Sequence, residues 1–410
     1  MNNFKKNAKR WLYRFICNDG IYVSILGVIV ITSFCVIQDK MELIDWKFFS
    51  SIVFVVIIQL IAGIIKKAIM RKLEDSAKLT EDYKSLAGRY RDSLVEFEDG
   101  EEVAKLPVKV ISFLDGKKIV ISDDKGDRYT LPEVVRDNFA LLFESHNTSN
   151  VYNQLCIRVD DWKSSDGFFE MSTSRTTYFD SLVTNRAVDV KLADGMTIRD
   201  LFCFGPFSPE LKTSPLSNHL GFNGFVESSD GYIPLVKRGG SVSIAKSTYG
   251  ISVQASVKSK YALENDSREF GVDGLLNSIK KEIYDELRIK EGDLEPFSYD
   301  NHRLVAAYQD LLEGGKPQLM FYVKSYKSKK EIENDFYAYV TEHKKSIAVD
   351  GSHLEWIHKS ELTSIKFSHD GMLYKEKFYR MVPSTTACLV ILVDSIKEKE
   401  TSSAPLVLNG

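Results

Sequence analysis

Cysteine is scarce in this chain, and none of it is paired in sequence. The five cysteines among 410 residues, Cys17, Cys35, Cys156, Cys203 and Cys388, are scattered, and no CxxC spacing occurs. That pattern indicates neither a zinc site nor a disulfide framework; it fits a reducing compartment, with each thiol a small core residue. A strong charge of either sign is also lacking, the formal net charge being −3, so no nucleic-acid polymer is expected as a partner. Proline is missing from Lys66 to Phe97. Charge is missing altogether from two long apolar runs near the N-terminus.

Those runs are Ile21 to Ile37, IYVSILGVIVITSFCVI, and Phe48 to Ile65, FFSSIVFVVIIQLIAGII. A helix needs about 20 apolar residues to cross the hydrocarbon layer, and both runs reach the short end of that range. They predict a transmembrane α-hairpin within residues 1–70. Lys5, Lys6, Lys9, Arg10 and Arg14 precede the first run, and Lys66, Lys67, Arg71 and Lys72 follow the second. The positive-inside rule then places both termini in the cytoplasm, with the lipid bilayer as a partner. Gln59 is the polar residue within the spans most in need of a partner, and it suggests helix packing or self-association into a homo-oligomer.

Residues 71–150 read as a helical stalk, running on from the second span to Phe97, followed by a small β-rich linker. The stretch KVISFLDGKKIVISDDKGDRYTLP carries two alternating runs around an Asp-Gly turn, which is a hairpin signature. Asp123, Asp124 and Asp127 read as exposed turn acids, since their spacing lacks the distal glutamate of a calcium loop. Within 151–400, strands are expected at Cys156–Trp162, on both sides of the Ser-Asp-Gly turn before Tyr232, and around the Glu-Gly-Gly-Lys-Pro turn at 313–317. A short strand is expected at Leu354–Ile357 and a last helix at Pro383–Glu398, giving a mixed α/β sandwich. His219 stands alone and reads as a structural hydrogen-bonder. Lys324, Lys327, Lys329 and Lys330 read as a solvated basic loop, and 401–410 as a disordered tail.

The stretch FGVDGLLNSIKKEIYDELRI, from Phe270 to Ile289, organises the C-terminal half. At helical spacing it puts Ile279, Ile283 and Leu287 on one face and Glu282, Asp285 and Glu286 within one turn on another. Hard divalent cations prefer such carboxylate oxygens, and a solvated helix face would show the same residues.

Together with LGFNGFVESSDGYIPLVKR, which ends in the basic pair Lys237 and Arg238, the segment KKEIYDELRI resembles the Nudix superfamily over roughly 218–398. The resemblance implies a Nudix-like mixed-sheet sandwich, with Glu282, Asp285 and Glu286 as ligands of Mg²⁺ and Lys237 and Arg238 as phosphate-binding residues of a nucleotide site. The sequence departs from the family where Ser267 stands for a glycine at the start of the box, Asp273 for a glutamate and Arg288 for the glycine that ends the helix. Those departures put hydrolysis in doubt more than fold.

With the apolar hairpin, the chain resembles the two-transmembrane Nudix-type effectors of bacterial CBASS antiphage defence. That likeness implies a Nudix-like domain that senses a cyclic dinucleotide or oligonucleotide second messenger. It also implies oligomerising spans that permeabilise the inner membrane and kill the infected cell, with no catalytic residues assigned. The alternative is a membrane-anchored, Mg²⁺-dependent hydrolase of a nucleoside diphosphate derivative.

Overall fold

A computed structural model describes residues 61–66, 69, 78–146, 149, 152–239, 245–264, 268–342 and 351–403. The chain divides into two compact units, residues 1–78 and 79–410. In the first, residues 61–66 are helical.

Among the described residues no helix is long and apolar enough to cross a membrane. The expected spans at 21–37 and 48–65, with Gln59, lie outside the described residues except for 61–65. The transmembrane hairpin, the inner-membrane placement and pore formation are therefore withdrawn, and the described chain is a mixed α/β fold with many sheets. The longest helix, Pro383–Ser403, shows why length alone does not make a span. Its apolar stretch from Ala387 to Val393 is buried in a protein core, and Asp394 and Lys397, directly after it, are exposed.

Of the expected stalk, residues 67, 68 and 70–77 lie outside the described residues; from 78 to 97 the chain forms the short helix α1 (Tyr83–Ala87) and enters strand β1 (Glu96–Asp99) in place of a continuous helix. Strand β1 pairs with β2 (Glu102–Lys105) across a turn at Gly100. Strands β3 (Val108–Phe113) and β4 (Lys118–Arg128) follow, then helices α2 (Glu133–Asp137) and α3 (Phe139–Glu144). The next elements are β5 (Leu155–Ser165), β6 (Phe168–Thr177), α4 (Tyr178–Val183) and α5 (Ile198–Phe202). Then come β7 (Gly221–Glu227), β8 (Tyr232–Arg238), β9 (Tyr249–Gly250), β10 (Val253–Ser256), α6 (Ser259–Ala262) and α7 (Val272–Leu287). The chain continues through β11 (Leu304–Asp310), β12 (Lys316–Lys324), α8 (Lys329–Glu342) and β13 (Gly351–His358). It ends with β14 (Lys366–Ser368), β15 (Gly371–Tyr374), β16 (Lys377–Arg380) and α9 (Pro383–Ser403). The predicted tail lies outside the described residues from 404 onward.

The central sheet has the order β10-β7-β12-β11-β3, with β7 and β12 parallel and the other pairs antiparallel. Both faces are covered, so β7, β11 and β12 are buried nearly end to end rather than at alternate residues. On one face Phe222, Val226, Leu319 and Phe321 pack with Ile279, Ile283 and Leu287 of α7. On the other, Phe225, Ala306, Tyr308 and Met320 pack with Cys388, Leu389 and Leu392 of α9.

Two expected hairpins are resolved differently. Strands β3 and β4 do not pair: β3 is the edge of the central sheet beside β11, and β4 runs parallel to β6 in a separate sheet with β5. The linker over 100–150 is thus part of the second unit. Likewise β7 and β8 are joined by a tight turn yet lie in different sheets, β8 pairing with β13 and β9. Pro234 of β8 has no N–H to donate. Across this parting the Ser252 hydroxyl donates to the Pro234 carbonyl at 2.9 Å and accepts from the Val226 N–H at 3.1 Å. The β11–β12 hairpin forms as expected, with Gly314 and Gly315 at φ 70° and 88°. Its tip enters a third core, where Leu311 and Leu312 meet Leu142, Val183, Val188 and Ile198.

Candidate functional site

Helix α7 spans Val272–Leu287 and buries the predicted apolar face, with Ile279, Ile283 and Leu287 inaccessible to solvent. Asp273 sits in its first turn, where the positive end of the helix favours an acid. Arg288 ends it at φ 61°, the left-handed conformation that a glycine most often supplies at a helix C-terminus. Its guanidinium lies over the Tyr339 ring at 3.7 Å.

The three acids of α7 fall in unequal surroundings. Glu282 is buried at 1% exposure and Lys258 closes on it, with Nζ 2.6 Å from one carboxylate oxygen and 2.8 Å from the other. Burial pushes the Glu282 carboxyl up, and the Lys258 ammonium offsets that only in part. For Lys258, burial works against the charge, but Glu282 outweighs it and raises the ammonium above its ordinary value. Asp285 is half-buried and accepts a 2.6 Å hydrogen bond from the Tyr261 hydroxyl. Glu286 is half-buried beside them. Helix α6 places these partners because α6 and α7 nearly touch. A Cβ at Gly274 would stand 2.2 Å from the Ala262 carbonyl oxygen.

Among the described residues, no group of three or more His, Cys, Asp and Glu side chains is arranged to hold a metal. Glu282 already has a cation, Lys258, against it, and Asp285 is engaged by a phenol. The donor set expected for Mg²⁺ therefore does not fit a metal in this arrangement.

The basic pair lies elsewhere. Lys237 Nζ sits 5.9 Å from the centre of the Tyr249 ring. Arg238 donates to Gln254 Oε1 at 3.1 Å, and the Gln254 amide donates to Thr385 Oγ1 of α9 at 2.8 Å. Arg238 thus reaches toward the α9 side of the sheet while Glu282 lies on the α7 side. The two groups of sequence-predicted residues are not brought together. Gln59 is outside the described residues.

Sequence reasoning missed two buried charge groups. Asp123, read as an exposed turn acid, has a 3% exposed side chain held by both Arg175 nitrogens at 2.6 Å. It also accepts the Phe270 N–H at 2.8 Å, pinning the chain just before α7. The second group surrounds the β11–β12 turn, where Arg186 and Lys316 each stand 3.4 Å from Glu313. Asp310 lies alongside and accepts the Leu312 N–H at 3.0 Å. Burial, with Glu313 nearby, pushes the Asp310 carboxyl up to about 7. Arg199 clamps the turn from outside, donating to the Leu311 and Leu312 carbonyls at 2.8 and 2.6 Å while paired with Asp189. A Glu-Gly-Gly-Lys sequence looks like a solvated turn; only the preceding Leu311-Leu312 pair hinted at burial.

No family model matches the chain, and no curated protein matches it. Among solved structures, that of DR0079 from Deinococcus radiodurans is similar at 18% identity, over 36% of this chain and 70% of that one, with a TM-score of 0.23. So slight a likeness has no bearing on fold or function.

Proposed function

We propose that residues 79–403 form a Nudix-like domain that binds a cyclic nucleotide second messenger without hydrolysing it, the sensing part of an antiphage system. The observation that carries this reading is the buried Lys258–Glu282 pair. Its ammonium neutralises the carboxylate that the Nudix resemblance would give to a metal, which supports binding without metal-dependent hydrolysis. Arg238 is the residue best placed to meet phosphate from the sheet, since its guanidinium ends the chain through Gln254 to Thr385. An incoming phosphate would compete with Gln254 for that guanidinium and so alter the tie between the sheet and α9.

The test is calorimetric binding of cyclic di- and trinucleotides to the full chain, with and without Mg²⁺, alongside a phosphate-release assay. The expected result is binding that needs no Mg²⁺, weakened by Arg238→Glu and unchanged by Glu286→Gln. Mg²⁺-dependent cleavage of a nucleotide, abolished by Glu286→Gln, would replace this reading with the hydrolase.

A further inference from the structure

We infer that the protein associates with a second copy of itself, the acidic β1–β2 hairpin of one copy docking on a loop of the other that displays Phe204 and Phe207. This goes beyond the nucleotide-binding reading and does not depend on it.

The loop follows α5. Phe204 and Phe207 are 55% and 63% exposed, and Leu201, three residues earlier, is exposed as well. A single exposed apolar side chain means little, but these stand on a backbone that is held in place. The Tyr90 hydroxyl donates to the Cys203 carbonyl at 2.6 Å, and the Arg91 N–H donates to the Pro206 carbonyl at 2.7 Å. The Ser208 N–H donates to Asp92 at 2.6 Å. Between these ties a Cβ at Gly205 would come within 2.9 Å of the Arg89 carbonyl oxygen. The backbone under both rings is therefore fixed, and a partner has little ordering left to impose. Tyr90 points inward and is buried, whereas Arg89 and Arg91 on either side of it are exposed. The Arg89 guanidinium lies 5.2 Å from the centre of the Phe204 ring. Neither arginine has an acidic partner among the described residues. Aromatic rings with arginine are the composition enriched where proteins meet.

The complement stands on the same chain. β1 and β2 set Glu96 opposite Lys105 and Glu98 opposite Val103. Phe97 is buried, so Glu96, Glu98, Val103 and Lys105 share the outer face of the hairpin. Lys105 answers Glu96 at 3.1 Å. Glu98, and Glu101 at the turn, have no cationic partner among the described residues. Val103, beside Glu98, is 65% exposed. The hairpin thus offers an apolar residue among unpaired acids, and the loop offers two rings beside unpaired arginines. Docking the one on the other buries the apolar residues together and sets unlike charges opposite each other. A lipid surface would take up the rings and arginines too, but it would leave the acids of the hairpin unmatched.

The experiment is sedimentation velocity of the full chain over a concentration series at low and high salt. Association is expected to grow with concentration and to weaken with salt. Three double variants at these exposed positions should each raise the dissociation constant at least about tenfold: Phe204→Ser with Phe207→Ser, Arg89→Glu with Arg91→Glu, and Glu98→Lys with Glu101→Lys. Mixing the arginine variant with the glutamate variant sets unlike charges opposite each other again and should restore the association that each has lost alone. A wild-type chain that stays monomeric overturns the proposal, as does association that all three variants leave unchanged. Weakening by the phenylalanine variant alone, or a mixture that fails to associate, overturns it too, because the hairpin then takes no part. Binding to anionic phospholipid vesicles that needs Phe204 and Phe207, without self-association, gives the loop to lipid instead.

Discussion

On the α7 side of the central sheet one cation meets one buried carboxylate, Lys258 with Glu282 at 2.6 Å. At the β11–β12 turn two cations, Arg186 and Lys316, each stand 3.4 Å from Glu313, and Asp310 lies opposite Lys316 across the hairpin. The first arrangement is closed: adding a ligand would require removing a partner. The second is a network, in which Arg186, Lys316, Glu313 and Asp310 share their charge around one turn. Buried charge by itself therefore does not mark a functional site. What distinguishes the two is whether a charge meets a single counterpart or is shared among several.

Four measurements can break or sharpen that contrast. The largest effect is expected from Lys258→Met, which strands Glu282 in the core and should cost about 3–5 kcal/mol in denaturant unfolding, with Glu282→Leu added to it restoring much of the loss. A loss under about 1 kcal/mol would mean that Glu282 finds solvent or another partner. Lys316→Met should cost less, about 1–3 kcal/mol, because Arg186 remains against Glu313; a loss equal to that of Lys258→Met would erase the difference between the two arrangements.

The third measurement is pH dependence. A carboxyl raised to about 7 in the folded chain keeps its proton there while the unfolded chain releases it near pH 4. Its stabilising contribution is full below about pH 4 and is lost as pH rises through about 7. The unfolding free energy of the wild-type protein relative to Asp310→Asn should therefore fall across that window and level off above it. A flat difference would show that Asp310 is ionised throughout. The smallest effect is expected from Glu286→Gln, within about 0.5 kcal/mol, since Glu286 is only half-buried. A large loss there would make it part of the closed pair.

Much of the C-terminal fold is legible in the residues. The periodicity from Val272 to Leu287 locates α7 and its buried face, and the Gly-Gly turn locates the β11–β12 hairpin. Sequence falters where pairing is decided at long range. The Asp-Gly turn after Phe113 looks like any hairpin turn, and nothing local says that β3 will join β11 nearly two hundred residues later. The expected membrane hairpin rested on composition and length, and no described helix meets that description. Helix α8 was hidden by its charge, because KKEIENDFYAYVTE buries only Ile332 and Phe336. Of the expected site, the acids were found and their neutralisation was not. Lys258 lies 24 residues before Glu282, and only the close approach at Gly274 brings them together.

The Ser252 hydroxyl closes the parting between β7 and β8 with two hydrogen bonds where a ladder would have many. Mechanically this is a rivet rather than a weld. The sheet of β8, β9 and β13 is held to the central sheet by side chains, by this hydroxyl and by the tight β7–β8 turn, with no continuous row of backbone bonds along that line. Strain along this line is borne by one turn and one hydroxyl instead of being spread over a ladder.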